Sequence, residues 1–147
     1  MAVIVQRLME LLSVQFEPLS IESVAEGYQF LRRMFDEWQD GNNRFCRPGE
    51  TLLGAFSASM LVGVCGLNID PYAREPGIGR LRHLYVLPAI RRQGVGQQLA
   101  NHCIEAARPH FHLVRLRTVS AYAACFYERL GFRPVSGVDA CTHVLQL

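Results

Sequence analysis

The sequence predicts a single α/β domain, and three observations carry that prediction. Short β-rich runs alternate with stretches of helical periodicity along the 147 residues. No internal repeat, linker or low-complexity segment divides the chain, and its length suits one sizeable core. Half of the residues are hydrophobic and 19% are charged, the balance of an ordinary globular protein rather than a disordered one. The domain is read as residues 1–147, with residues 1–12 as an N-terminal extension.

That extension, MAVIVQRLMELL, has no basic region ahead of its apolar run, and Arg7 and Glu10 interrupt it, so neither a signal peptide nor a membrane span is expected. It reads as an amphipathic helix packed on the body or on a second subunit, or as a partly ordered tail. Val14–Leu19 reads as a strand closed by Pro18, with Ser20 as the N-cap of a following helix. Val24, Tyr28, Leu31, Phe35 and Trp38 then recur at steps of four and three, the apolar stripe of one amphipathic helix. The loop Gly41–Glu50 is long enough to act as a lid over a pocket. Thr51–Phe56 and Leu61–Ile69 read as a hairpin, with Gly54, Gly63 and Gly66 marking bulges or close packing. Asn68–Gly79 is a turn-rich connection, either a surface loop or a substrate contact.

The strand Arg80–Leu87 places Arg82, Leu84 and Val86 on one face and His83, Tyr85 and Leu87 on the other. Pro88 ends it, and the loop Arg91–Gly96 feeds a helix that runs to about Arg108 before Pro109. His112–Val119 is a further strand. Ser120 caps a helix carrying Ala123, Phe126, Tyr127 and Leu130, which Gly131 terminates. Phe132–Ser136 and Thr142–Leu147 form a last strand pair.

The net charge of +2 is too small to argue for nucleic acid or a membrane surface as partner. The arginines are nevertheless clustered, with Arg80, Arg82, Arg91 and Arg92 together and Arg115 and Arg117 beyond them, which suits an anionic small molecule. The five cysteines are widely spaced with no CxxC pair, which argues against a disulfide framework and a zinc site and suits a reducing cytoplasm. A loop with Gly94 and Gly96 ahead of a helix is an anion-binding device, because the first-turn N–H groups are unpaired and the helix dipole favours a phosphate. Taken alone, the signal fits a purely steric turn equally well. It is not a P-loop, and Leu99 stands where a dinucleotide fingerprint needs its third glycine.

The order of motifs is more specific. LYVLPAIRRQGVGQQL, then a helix and a strand, then SAYAACFYERLGF, resembles the GCN5-related N-acetyltransferase family from about Val14 to the C-terminus. The resemblance implies a mixed, mostly antiparallel sheet flanked by helices and splayed at strand 80–87, with acetyl-CoA as co-substrate in the resulting V. It implies that the backbone of Leu84, Tyr85 and Val86 pairs with the pantetheine arm. It also implies that Arg91, Arg92, Gln93, Gly94, Val95, Gly96 and Gln97 cradle the pyrophosphate. Family members often carry a bulge in this strand, which shifts the face assignments by one. Tyr127 stands where the family has its general acid; a phenol of reference pKa near ~10 is protonated at neutral pH and can donate to a departing thiolate. Ser120 stands where the family often has an Asn that contacts the pantetheine, and it is equally a helix cap.

Attack on a thioester needs a neutral amine, so a base or water must remove a proton first. His83 is the nearest titratable group on the strand, with structural packing as its other reading, and Glu22, Glu26 and Asp70 are weaker candidates. A backbone N–H near Leu84–Val86 would meet the oxyanion. Arg82 either holds an anionic part of the acceptor or pairs with a carboxylate. The expected function is an N-acetyltransferase acting on a primary amine of a small molecule or protein. The alternatives are a CoA-binding module with little turnover and a protein of oligomeric or partner contact, with a homodimer as one form. Residues 28–50 and 68–79 would select the acceptor, and nothing in them names it.

Overall fold

The computed structural model of the chain describes residues 2–147; Met1, the first residue of the proposed extension, lies outside them. The elements run β1 (Ile4–Arg7), α1 (Ser13–Ala25), α2 (Phe30–Asp40), β2 (Thr51–Ser57), β3 (Met60–Ile69), β4 (Ile78–Val86), α3 (Val95–Ala107), β5 (Leu113–Leu116), α4 (Ala121–Arg129), β6 (Arg133–Pro134) and β7 (His143–Gln146). Among the described residues the strands form one seven-stranded sheet in the order β1-β2-β3-β4-β5-β7-β6. The pairing of β4 with β5 is parallel and the others are antiparallel. The mixed, mostly antiparallel α/β fold is therefore the one expected.

Two apolar layers sandwich the sheet. Phe16 and Leu19 of α1 and Leu31 and Met34 of α2 are buried against one face, with Leu52, Val64 and Tyr85. Leu99, Ala100 and Cys103 of α3, with Tyr127 and Phe132, fill the other face against Cys65, Leu81 and Val114.

The N-terminal third departs from the sequence reading. The expected extension helix is instead an edge strand: Ile4–Arg7 pairs with Leu53–Phe56. The alternation of Val3 and Val5 toward the core with Ile4 outward, together with β-branched stiffness, favours a strand there. The strand expected over Val14–Leu19 is the first half of α1, so Ser20 is an interior residue rather than a cap. Burial of Phe16 and Leu19 outweighs the hydrogen bond that Pro18 removes from that helix. The single helix expected from Val24 to Trp38 is broken in two, because Gly27 adopts φ +93° just beyond α1. The strand expected over His112–Val119 is shorter, Leu113–Leu116.

The expected hairpin is β2–β3, and its glycines make room for neighbours: a Cβ on Gly66 would lie 2.7 Å from the Phe45 ring. The loop Gly41–Glu50 is tied down. Asn43 and Asn68 exchange reciprocal amide hydrogen bonds of 3.0 Å each. The buried Glu50 carboxylate accepts from Asn68 Nδ2 at 3.0 Å and from the Ile69 N–H at 2.9 Å. With a buried carboxylate at its base, this loop is a fixed wall.

The opening that positions the site comes from β4 and β5. They pair only where Ile78–Arg80 meets Leu113–Arg115, while β4 continues to Val86. A bulge bends β4 within the unpaired part: His83 has φ +63°, and the β3 register slips between Val64 and Gly66. As expected for a bulged strand, one face assignment changes. His83 and Tyr85 still oppose Leu84 and Val86, but Arg82, paired with Gly66 beneath Phe45, lies on the His83 side.

Candidate active site

The unpaired part of β4 presents its backbone to the gap. The Leu87 N–H donates to Val62 O at 2.9 Å, and the Tyr85 carbonyl faces Gly63, so both point toward β3. Alternation then turns the peptide groups of Leu84 and Val86 toward the edge that β5 has left. Val86 O accepts from Arg91 Nε at 2.9 Å, and Leu84 offers its N–H and C=O to the gap.

Beyond β4 the chain makes a short turn over Pro88–Ile90 and enters α3 through two left-handed residues, Arg92 (φ +64°) and Gly94 (φ +83°). Gly94 is the N-cap and supplies no side chain to the first-turn N–H groups, which are left for a ligand. Val95 anchors the loop by burial, while Arg92, Gln93 and Gln97 are exposed around it. Neighbouring atoms do not demand glycine here. A Cβ on Gly94 would meet nothing within 4 Å, and one on Gly96 would meet Phe126 at 3.7 Å and Val86 at 3.8 Å. The space beside the loop thus suits a pyrophosphate. Gly96 also marks where α3, α4 and the end of β4 converge.

Arg91 has another occupation than the sequence suggested. Its guanidinium binds the Glu26 carboxylate through Nη1 at 2.8 Å and Nη2 at 2.6 Å, and lies 5.2 Å above the Tyr85 ring. The Tyr85 hydroxyl donates to the same carboxylate. Arg91 holds the Glu26 carboxyl below its usual range. This cluster pins the cofactor loop to the end of α1. The Arg91 side chain is therefore engaged by Glu26 and by Val86 O, and Tyr85 contributes backbone to the strand and its side chain to the pin. Sequence reasoning had only a weak base role for Glu26, since 65 residues separate it from Arg91 and no local pattern links them.

Tyr127 is buried on α4, edge-on to Phe126 and Phe132 at centroid distances of 5.2 and 5.7 Å. Burial, with Cys65 and Cys103 nearby, pushes its phenol well above the ordinary value, so it stays protonated. Ser120 Oγ accepts from the Ala123 N–H at 3.2 Å and caps α4, the second of its two expected roles.

His83 lies on the opposite face of β4, stacked on Phe30 (6.2 Å, 26°) and edge-on to Phe45 (6.1 Å, 80°). Burial, aided by Arg82, Arg33 and Arg80, pushes its imidazole down to about 3, so it is neutral and weakly basic. Asp70, another base candidate, is instead the buried counter-charge of two arginines: its Oδ2 lies 3.3 Å from Arg115 Nε and 3.7 Å from Arg80 Nη1. Among the described residues no group of three or more His, Cys, Asp or Glu side chains is arranged to hold a metal, and no helix is long and apolar enough to cross a membrane.

Residues 48–134, more than half of the chain, match the family described as the acetyltransferase (GNAT) domain. The chain belongs to the GNAT acetyltransferase family. A GNAT domain takes acetyl-CoA as its co-substrate, and the open edge of β4 and the loop before α3 fit that molecule. Comparison with curated proteins yields no match. Solved structures of similar fold include a candidate acetyltransferase from Exiguobacterium sp. 255-15, at 29% identity and TM-score 0.88, covering 99% of this chain and 94% of that one. A GNAT acetyltransferase from Brucella melitensis, solved with acetyl-CoA, has 15% identity and TM-score 0.75, with coverage of 99% and 88%. The PaiA N-acetyltransferase from Thermoplasma acidophilum, solved with coenzyme A, has 16% identity and TM-score 0.67 over the whole of both chains.

Proposed function

We propose that this GNAT domain, residues 1–147, transfers the acetyl group of acetyl-CoA to a primary amine by direct attack, with Tyr127 as the general acid. The observation that carries the reading is a buried, protonated phenol on the helix that meets β4 and α3 at Gly96. The first-turn N–H groups at Val95–Gln97 hold the pyrophosphate, and the open peptide of Leu84 pairs with the pantetheine and meets the carbonyl oxygen. The amine nitrogen bonds to the acyl carbon as the carbon–sulfur bond breaks. Tyr127 donates its proton to the departing sulfur and regains one from solvent. The proton lost by the amine passes to water, because an imidazole pushed down to about 3 is too weak a base for that step. We assign His83 to the wall of the acceptor site instead. The free cysteines, three of them buried, suit a reducing compartment, and we assign the protein to the cytoplasm.

The test is thiol release from acetyl-CoA across an amine panel, comparing the protein with Tyr127→Phe. The expected result is amine-dependent release whose kcat falls by about 10²–10⁴ in the variant, at unchanged thermal stability. An unchanged kcat would remove Tyr127 from the chemistry. Because Ser120 spends its hydroxyl on capping, a second outcome has a definite meaning: stabilisation by CoA with no release on any amine would make the chain a binding module.

A further inference from the structure

Four buried side-chain atoms among the described residues have no hydrogen-bond partner: Asp70 Oδ2, Arg80 Nη1, His83 Nε2 and Arg115 Nε. All four belong to one face of the sheet, the face of β4 that carries His83. Three of them, Asp70 Oδ2, Arg80 Nη1 and Arg115 Nε, meet in ion pairs of 3.3 and 3.7 Å, which leaves His83 Nε2 without a polar partner, and a buried polar atom of that kind calls for an occupant. The charge count says which kind. Arg80 and Arg115, both 8% exposed in their side chains, share the single carboxylate of Asp70 and leave one positive charge over. Arg82 lies on the same face, beside His83 across the bulge, and has no carboxylate within ion-pair distance among the described residues. Arg33, equally unpaired, follows Phe30 by three residues on α2 and so shares the helix face whose ring stacks on His83.

We propose that Arg82 and Arg33 bind the carboxylate of a small, amino-acid-like acceptor on this face, with His83 Nε2 as a further polar contact. The inference rests on the acetyltransferase reading and adds the substrate class to it. Three observations favour a small molecule over an extended chain. Phe30 and Phe45 bracket His83, the Tyr72 ring covers Arg80 at 4.8 Å, and the Asn43–Asn68 pair fixes the adjoining loop as a wall. The same excess of positive charge rejects polycationic amines. That Arg82, Arg33 and Arg80 all act to discharge the His83 imidazole agrees with their facing the same space.

The experiment measures thiol release with glycine, glycinamide, aspartate, spermidine and an Asp-initiated hexapeptide, on the protein and on Arg82→Gln and Arg33→Gln. Neither substitution touches the core, so both variants are expected to fold. Aspartate is expected to exceed glycinamide and spermidine in kcat/KM by roughly ten- to a hundredfold, the range of a charge-assisted hydrogen bond, and each variant is expected to erase most of that preference. A preference for glycinamide or spermidine, or an acidic preference that survives both substitutions, would overturn the carboxylate site. The hexapeptide outpacing aspartate would overturn the small-molecule assignment. Thermal stabilisation by the same compounds separates this inference from the enzymatic one. If no amine releases thiol but aspartate stabilises the protein and not Arg82→Gln, the site stands and the transfer reading fails. If aspartate neither reacts nor stabilises, the site fails.

Discussion

Of the site residues, His83 shows most plainly how a position becomes something its residue type does not announce. A histidine on a strand beside a cofactor loop reads as a base, yet a bulge sets it at φ +63° between two aromatic rings, where burial and three arginines push it to about 3. The consequence for stability has a definite sign. Between pH 3 and the ordinary value of 6.5 the unfolded chain binds a proton that the folded chain does not, so stability falls as pH drops below 6.5. His83→Asn, which keeps a residue tolerant of the left-handed region, is expected to flatten the fall in Tm between pH 7 and pH 4. A variant with the same pH slope as the unaltered protein would show that His83 is not buried in its neutral form. The place of Tyr127 on α4 was legible because FYERLGF is local. The Glu26–Arg91–Tyr85 pin was not, because each partner comes from a different element and only tertiary folding brings them together.

At the level of elements, those with clear local bounds match their sequence reading, whereas the amphipathic stripe from Val24 to Trp38, expected as one helix, is broken at Gly27 into two. The β2–β3 hairpin follows from two β-rich runs around a short turn, α3 from its apolar face after Gly94, and α4 from the Ser120 cap. The first 25 residues do not: Pro18 reads as a break, and only the depth to which Phe16 and Leu19 are buried keeps α1 intact across it. Two glycines near the site play different parts and separate in a stability measurement. Gly66→Ala would set a Cβ 2.7 Å from Phe45 and 3.2 Å from the Arg82 carbonyl, at the bulge, and is expected to cost about 1–3 kcal/mol. Gly94→Ala meets no atom within 4 Å and carries only the strain of its left-handed backbone, about 1–2 kcal/mol, while crowding the cofactor loop. Denaturant unfolding of both, beside the KM for acetyl-CoA, distinguishes them. Gly66→Ala is expected to lose stability, and Gly94→Ala is expected to lose cofactor affinity in addition. Equal KM values in Gly94→Ala and the unaltered protein would contradict the role given to the loop.

In the whole molecule, the parallel contact between β4 and β5 is only three residue pairs long, and the proposed site occupies the opening that this leaves. Because β5 ends at Leu116 while β4 runs on to Val86, one sheet opens into two half-sheets with free backbone along the gap. Val95 and Tyr127 lie on the α3 side of that sheet, and Arg82 and His83 lie on the other. In the proposed reaction, a thioester in the gap would meet Tyr127 from one side and the acceptor from the other. The order of motifs made the family and the splayed sheet legible from sequence. The grouping of arginines, aromatic rings and buried Asp70 on the other face was not, because its members are scattered from residue 30 to residue 115. A crystal structure of the CoA complex, giving the separation of the CoA sulfur from Tyr127 Oη, tests general-acid catalysis by Tyr127. The sulfur is expected within hydrogen-bond reach, roughly 3–4 Å, with the pantetheine on Leu84 and the pyrophosphate at Gly94–Gln97. A sulfur beyond that reach, or CoA bound away from the gap between β4 and β5, would contradict it.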